Sequence, residues 1–268
     1  MHPHAETLWR GPRWTLAILL AVLGMLGPFS IDTYLPAFSG IASSLNASPV
    51  HMQQTLSAYL FGFAFMNLFH GALADSFGRR PVILWGLMAF TLASLGCALA
   101  QNVTQLIVFR AMQGLSCGAG VVVSRAIVRD IFPPTQAQKV MSQITIFFGL
   151  APAIAPIMGG WLFVSLGWHS IFWLLTAIGL ALWAVNFKML PESLHASQRQ
   201  PFSIPHLMRG YWQLCTDPRF LLLALASGIP FNGMFLYVLS APAFLGELLQ
   251  LQPTQFFNQV FAELVTLP

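Results

Sequence analysis

The chain has 268 residues, of which 56% are hydrophobic and only 7% charged, with 12 Lys and Arg against 8 Asp and Glu and a formal net charge of +4. A water-soluble domain carries about 25% charged residues, so these few charges exclude a soluble enzyme, a disordered chain and a nucleic-acid binder, in spite of a pI near 9.3. A mean hydropathy of +0.70 and three scattered cysteines (Cys97, Cys117, Cys215) leave a polytopic membrane protein without a disulfide framework, a metal site or a cofactor motif.

A helix needs about 20 largely apolar residues to cross a bilayer. Such runs occur at about 14–36, 52–74, 81–100, 104–128, 138–162, 168–189 and 219–243, which predicts seven spans. Polar or helix-breaking separators lie between them: Pro36 to Pro49, the turn DSFGRRP, Gln101-Asn102, Pro133-Pro134 and Gly167. Arg10 and Arg13 precede the first run as they would in a signal peptide, but the run is too long for the apolar core of one and another span follows closely, so it reads as a retained helix.

The organisation read from this pattern is a tail over 1–13, a six-helix unit over 14–189, a long polar connection over 190–218, and the start of a second unit over 219–268. Six helices, a long inner loop and a further helix form the outline of a transporter built as two six-helix halves. The segment from Thr254 to Pro268, interrupted by Asn258, Gln259 and Glu263, is expected to begin an eighth helix but is too short to cross. The chain therefore reads as stopping inside the second half, either as a transport-inactive fragment or with helices 8–12 supplied by a separate polypeptide.

Direction follows from the basic residues. Arg10, Arg13, Arg79, Arg80, Arg129, Lys139, Lys188, Arg199, Arg209 and Arg219 all fall on one side, and the loops 37–51, 101–103, 163–167 and 244–253 contain no Lys or Arg. The positive-inside rule then predicts a cytoplasmic amino terminus and connection 190–218. Trp14, Trp85, Trp161 and Trp168 lie near span ends, where interfacial aromatics are at home.

Charges inside a membrane are costly and each needs a reason. Asp32, in the last turns of span 1, is either an interfacial residue or a protonatable carboxylate in a water-filled cavity. Arg110 lies about 10 Å from the outer end of span 4 at the helical rise, too deep for a casual surface charge. Spans 1 and 4 are equivalent in an inverted three-plus-three repeat, so opposite charges in their outer portions point to a shared central cavity. Tyr34, Gln54, Asn67, Gln113 and Asn232 are candidate cavity-lining residues, although helix–helix hydrogen bonds explain such side chains equally well. His70, alone near the inner end of span 2, reads as a packing histidine rather than a proton relay.

The turn after span 2 reads Gly71-Ala72-Leu73-Ala74-Asp75-Ser76-Phe77-Gly78-Arg79-Arg80-Pro81. Gly71 is expected to permit close helix approach, Gly78 a tight turn, and Asp75 and Arg79 a pair. This ordered string resembles the signature between helices 2 and 3 of the major facilitator superfamily. Arg110-Ala111-Met112-Gln113-Gly114 resembles its helix 4 motif, and Gly149-Leu150-Ala151-Pro152-Ala153-Ile154-Ala155-Pro156-Ile157-Met158-Gly159-Gly160 its helix 5 antiporter motif. Asp32-Thr33-Tyr34-Leu35-Pro36, Val128-Arg129-Asp130-Ile131-Phe132 and Trp168-His169-Ser170-Ile171-Phe172-Trp173 are similar to the Bcr/CflA drug–proton antiporters, the bicyclomycin- and chloramphenicol-resistance group.

The resemblance implies an all-α major facilitator fold and export of small hydrophobic or amphipathic drug-like substrates in exchange for protons, across a bacterial inner membrane and without a cofactor. It implies proton or cationic-substrate binding at Asp32, coupling at Arg110, and a switch network of Gly71, Asp75, Gly78, Arg79, Arg80 and Asp130. Gly149, Pro152, Pro156, Gly159 and Gly160 would form the antiporter helix. Other classes fit poorly. A seven-helix receptor or retinal protein meets the wrong charge bias and no Lys between Phe220 and Ala243. No G-x-x-x-x-G-K-[ST] loop or H-E-x-x-H pair suggests an enzyme or ATPase.

Overall fold

The computed structural model describes residues 12–241, all of whose regular elements are helical; the tail up to residue 11 and the expected start of an eighth helix lie outside the described residues. The long helices are α1 (Arg13–Asp32), α2 (Pro49–Phe77), α3 (Arg79–Ala98), α4 (Val103–Ile131), α5 (Pro134–Leu166), α6 (His169–Met189) and α7 (Pro218–Ala241). Within the described residues α1 to α6 are long and apolar enough to cross a membrane. In the place of the seventh expected span, α7 has 24 residues, about 36 Å at the helical rise, with its apolar stretch over Pro218–Ile229.

Local chemistry sets the ends. Ser48 accepts the backbone N–H of His51, and Pro49 at the first position needs no acceptor. Asn102 caps α4 by accepting from the Gln105 N–H at 2.9 Å. Gly78 ends α2 at φ +104° and Gly167 ends α5 at φ +81°, backbone conformations that a side chain opposes.

α2 lies along α4 and α5 along α1, α3 packs against both α4 and α6, and α1 also meets α4. Backbones come very close where small residues allow it. A Cβ on Gly62 would strike the Ala111 carbonyl, and one on Gly114 the Tyr59 carbonyl, so α2 and α4 are notched into each other in both directions. Gly71 has no such role: a Cβ there would meet only Val122, at an ordinary 3.8 Å, and the expected close approach is not made.

Two further expectations need correction. Trp14, Trp85 and Trp161 are exposed, but Trp168 is buried and donates its indole N–H to the Ser44 Oγ at 3.1 Å, so it packs the outer short helix Phe38–Ser44 instead of meeting an interface. The connection 190–218 is not plain loop. It contains a helix, Ile204–Thr216, capped by Ser203, whose apolar side chains Ile204, Leu207, Met208, Tyr211, Trp212 and Cys215 repeat at helical spacing. α7 packs against this loop helix and leaves most of its own surface exposed.

A caged arginine and a charge cluster as candidate functional site

Arg110 projects from α4 into the middle of the bundle and is fully buried. Its guanidinium lies 4.6 Å from the ring centre of Tyr34 and 4.3 Å from that of Tyr59, at distances where the electron-rich faces attract a cation. Nη1 donates to Gln113 Oε1 at 2.7 Å and to the Ser30 carbonyl at 3.4 Å. Gln113 in turn donates to Ser94 Oγ at 2.7 Å, which ties α4 to α3. The cage walls are fixed from outside: Tyr34 Oη shares a hydrogen bond with Thr55 Oγ1 at 2.7 Å, and Tyr59 Oη one with Ser30 Oγ at 2.7 Å. Tyr59 also reaches the Gly27 carbonyl and Cys117 Sγ.

The charge of Arg110 is thus met by π-faces and neutral acceptors. Among the described residues no carboxylate lies within ion-pair distance, and Nε and Nη2 are buried without a hydrogen-bond partner. Such orphaned donors are rare and costly in a folded protein. Asp32 sits two residues beyond the Ser30 carbonyl that Arg110 touches, and it is buried, 4% exposed. Its carboxyl makes no ion pair with Arg110, whose free donors stay unpartnered. Gly159 of the antiporter string packs beside this point, where a Cβ would strike the Thr33 carbonyl; Gly160 is buried with it. Pro152 and Pro156 lie inside a continuous α5 and are half-buried, and Gly149 is exposed with open space at its Cα.

Of the other candidate cavity residues, Tyr34 and Gln113 belong to the cage. Gln54 and Asn232 are exposed and lie outside it. Asn67 is half-buried against Gly118 on α4, with Oδ1 unpartnered.

At the basic end, Arg79 bridges two acids: Nη1 lies 2.5 Å from Asp75 and Nε 3.1 Å from Asp130. Glu192, from the connection after α6, closes the cluster. Its Oε1 accepts the Arg79 N–H at 2.9 Å and its Oε2 the Arg80 N–H at 3.3 Å, capping α3 where unsatisfied donors and the helix dipole favour an anion. Ser193 donates to Asp130 at 2.8 Å, Gln200 N–H to the Asp75 carbonyl at 3.1 Å, and Arg80 Nη2 to the Phe187 carbonyl at 2.5 Å. A Cβ on Gly78 would collide with the Glu192 carboxyl, so position 78 requires glycine on both torsion and space.

The sequence reading passed over Tyr59, Ser30, Ser94, Thr55, Glu192 and Ser193. The expectation that the chain has no G-x-S-x-G string is wrong: Gly114-Leu115-Ser116-Cys117-Gly118, read as a G-x-x-x-G packing pair, also spells the sequence of a nucleophile elbow. That string lies within helix α4 rather than at a strand-to-helix turn, and Ser116 donates to the Met112 and Gln113 carbonyls.

Residues 11–264 match the family model of the Major Facilitator Superfamily. A bicyclomycin resistance protein homolog of Haemophilus influenzae is 38% identical over 221 residues, 82% of this chain and 56% of that protein. An uncharacterized MFS-type transporter of Bacillus subtilis, YdgK, is 38% identical over 251 residues, 93% of this chain and 62% of its own. The multidrug resistance protein MdtL of Escherichia coli is 36% identical over 175 residues, 65% and 45% of the two chains. The chain thus spans about half the length of the curated relatives it matches. Among solved structures, a bacterial homolog of the human lysosomal transporter Spinster, inward-facing and unoccupied, superposes with a TM-score of 0.72 at 14% identity, covering 96% of this chain and 59% of that one. The human organic anion transporter MFSD10 gives 0.63 at 20% identity, over 92% and 70%.

Proposed function

This chain belongs to the major facilitator superfamily, and we propose that it supplies the first six-helix unit of a proton-driven exporter of small hydrophobic or amphipathic drug-like molecules. The setting is a bacterial inner membrane, with the amino terminus and the basic end cytoplasmic. The observation that carries the reading is Arg110: a buried, caged guanidinium that has, among the described residues, two unpartnered donors and no carboxylate partner, in the same bundle as the buried Asp32.

A charge held in this way is open to a partner that changes state. When Asp32 releases its proton, the bundle gains a buried carboxylate toward which the free donors of Arg110 can move; when Asp32 takes up a proton or meets a cationic substrate, that attraction ends. Alternation between these states biases the bundle between two arrangements, and a proton moving down 100 mV supplies about 2.3 kcal/mol. The aromatic cage keeps the guanidinium aligned throughout. The relatives' names, bicyclomycin resistance and multidrug resistance, support drug-like substrates, and the basic-loop bias supports the orientation.

The test is drug-induced proton release in everted membrane vesicles. A chimera joining residues 1–218 to the remaining half of the Haemophilus influenzae relative is expected to release protons on addition of bicyclomycin or chloramphenicol. This chain alone is expected to insert and release none. Wild-type release from the chimera carrying Asp32→Asn would remove Asp32 from the coupling step.

A further inference from the structure

We infer that the outer flank of the bundle carries a second small-molecule site, distinct from the Arg110 cage, that takes an amphipathic molecule with an apolar body and a single hydrogen-bonding group. α2 and α3 diverge from their shared turn at Gly78 and leave a pocket of about 410 Å³ between them, floored by α4. That volume lies in the range of small-molecule sites. Leu73, Phe77 and Val82 line its basic end, and Met112 and Ala89 lie further in. Trp85, Phe77 and Met112 are exposed, so the mouth faces sideways toward the bilayer and not toward the cage.

His70 is the titratable residue in this otherwise largely apolar lining. It is 4% exposed, and its Nδ1 is fully buried with no hydrogen-bond partner. Gly118 stands opposite, where a Cβ would approach Nδ1 to 3.2 Å, so the ring is wedged against α4 and Nε2 is the nitrogen left for an occupant. A lipid tail fills the pocket but offers Nε2 no hydrogen-bond partner. A molecule carrying one hydroxyl or amide fills the pocket and meets the imidazole. His70 is seven residues from the end of α2, about 10 Å along the helix.

The inference rests on the proposed function only for which leaflet the mouth faces. Its test is binding, in this 268-residue chain purified into phosphatidylcholine nanodiscs, with 4-hydroxybenzophenone as photoactivated probe and benzophenone as its counterpart without the hydroxyl. Saturable labelling of Met66–Phe77, Val82–Ala89 or Met112–Ser116 is expected, favouring the hydroxylated probe about fivefold, the ratio one net hydrogen bond gives. His70→Leu is expected to abolish that preference. Ala89→Phe, a change at an exposed pocket residue, is expected to lower labelling by both probes at least tenfold. Equal labelling by the two probes, labelling that does not saturate, or labelling unchanged by Ala89→Phe would each overturn the inference and leave the pocket to lipid tails. Loss of coupling in the vesicle assay with this labelling intact would break the transport reading alone.

Discussion

Arg79 and Arg110 are both buried arginines, and the bundle treats them in opposite ways. Arg79 is matched: Asp75 and Asp130 hold its guanidinium, and Glu192 takes its backbone N–H. Arg110 is only accommodated, between two rings and two neutral acceptors, with donors left over. A matched charge is a fastener, because separating it strands two acids. An accommodated charge is an unfilled demand, which the arrival or departure of one anion can satisfy or restore. The first arrangement suits a part that holds a conformation, the second a part that responds to a proton.

The largest expected effect separates the two on function. In the chimera, Arg110→Leu is expected to abolish drug-induced proton release, yet to leave the melting temperature of this chain in detergent unchanged or higher, since it removes a buried charge with unpaired donors. A fall of several degrees would mean that Arg110 is a structural fastener after all. Next, Arg79→Leu is expected to destabilise the chain by about 2 kcal/mol, the scale of hydrogen bonds to charged groups, discounted because Asp75 is half-exposed. An unchanged melting temperature would erase the contrast between the two sites. Glu192→Gln keeps one acceptor but loses the anion at the start of α3, and about 1 kcal/mol is expected from cap and dipole together. High salt should shrink that difference, and a salt-independent loss would assign Glu192 a packing role. The smallest effect is expected from Tyr59→Phe, which keeps the ring under Arg110 and removes the hydroxyl bonded to Ser30 and Gly27. It should cost about 1 kcal/mol and leave proton release near wild type; loss of release would place the hydroxyl in the coupling path.

What was legible in the sequence was legible because it broke a pattern. Asp32 and Arg110 stand out as charges in apolar runs, and the helices around them follow from run length and from separators such as Ser48-Pro49 and Pro133-Pro134. The cage could be read only in part: Tyr34 and Gln113 were legible as cavity candidates, but Tyr59 looks like ordinary aromatic bulk, and nothing local says that rings 25 residues apart will face one guanidinium. Glu192 was hidden for another reason: it sits in a polar stretch where a carboxylate is unremarkable, and its partner N–H groups lie 113 and 112 positions earlier. Gly71 shows the converse error, since a motif position suggested close packing where Val122 leaves room for a side chain. The helix Ile204–Thr216 had the right period but contained Pro205 and Gly210, and polarity was read before periodicity.

The reciprocal notches of α2 and α4 have a mechanical consequence. With Gly62 seated against Ala111 and Gly114 against Tyr59, neither helix can slip lengthwise without lifting over a carbonyl of the other. Sliding is blocked in both directions, as in a dovetail joint. Because Tyr59 is also a wall of the cage, the joint fixes the grip on the Arg110 side chain to the same plank that bears the notches. Any large displacement must therefore carry α2, α4 and the caged guanidinium together as one lever, with its play taken up at seams that lack such a joint.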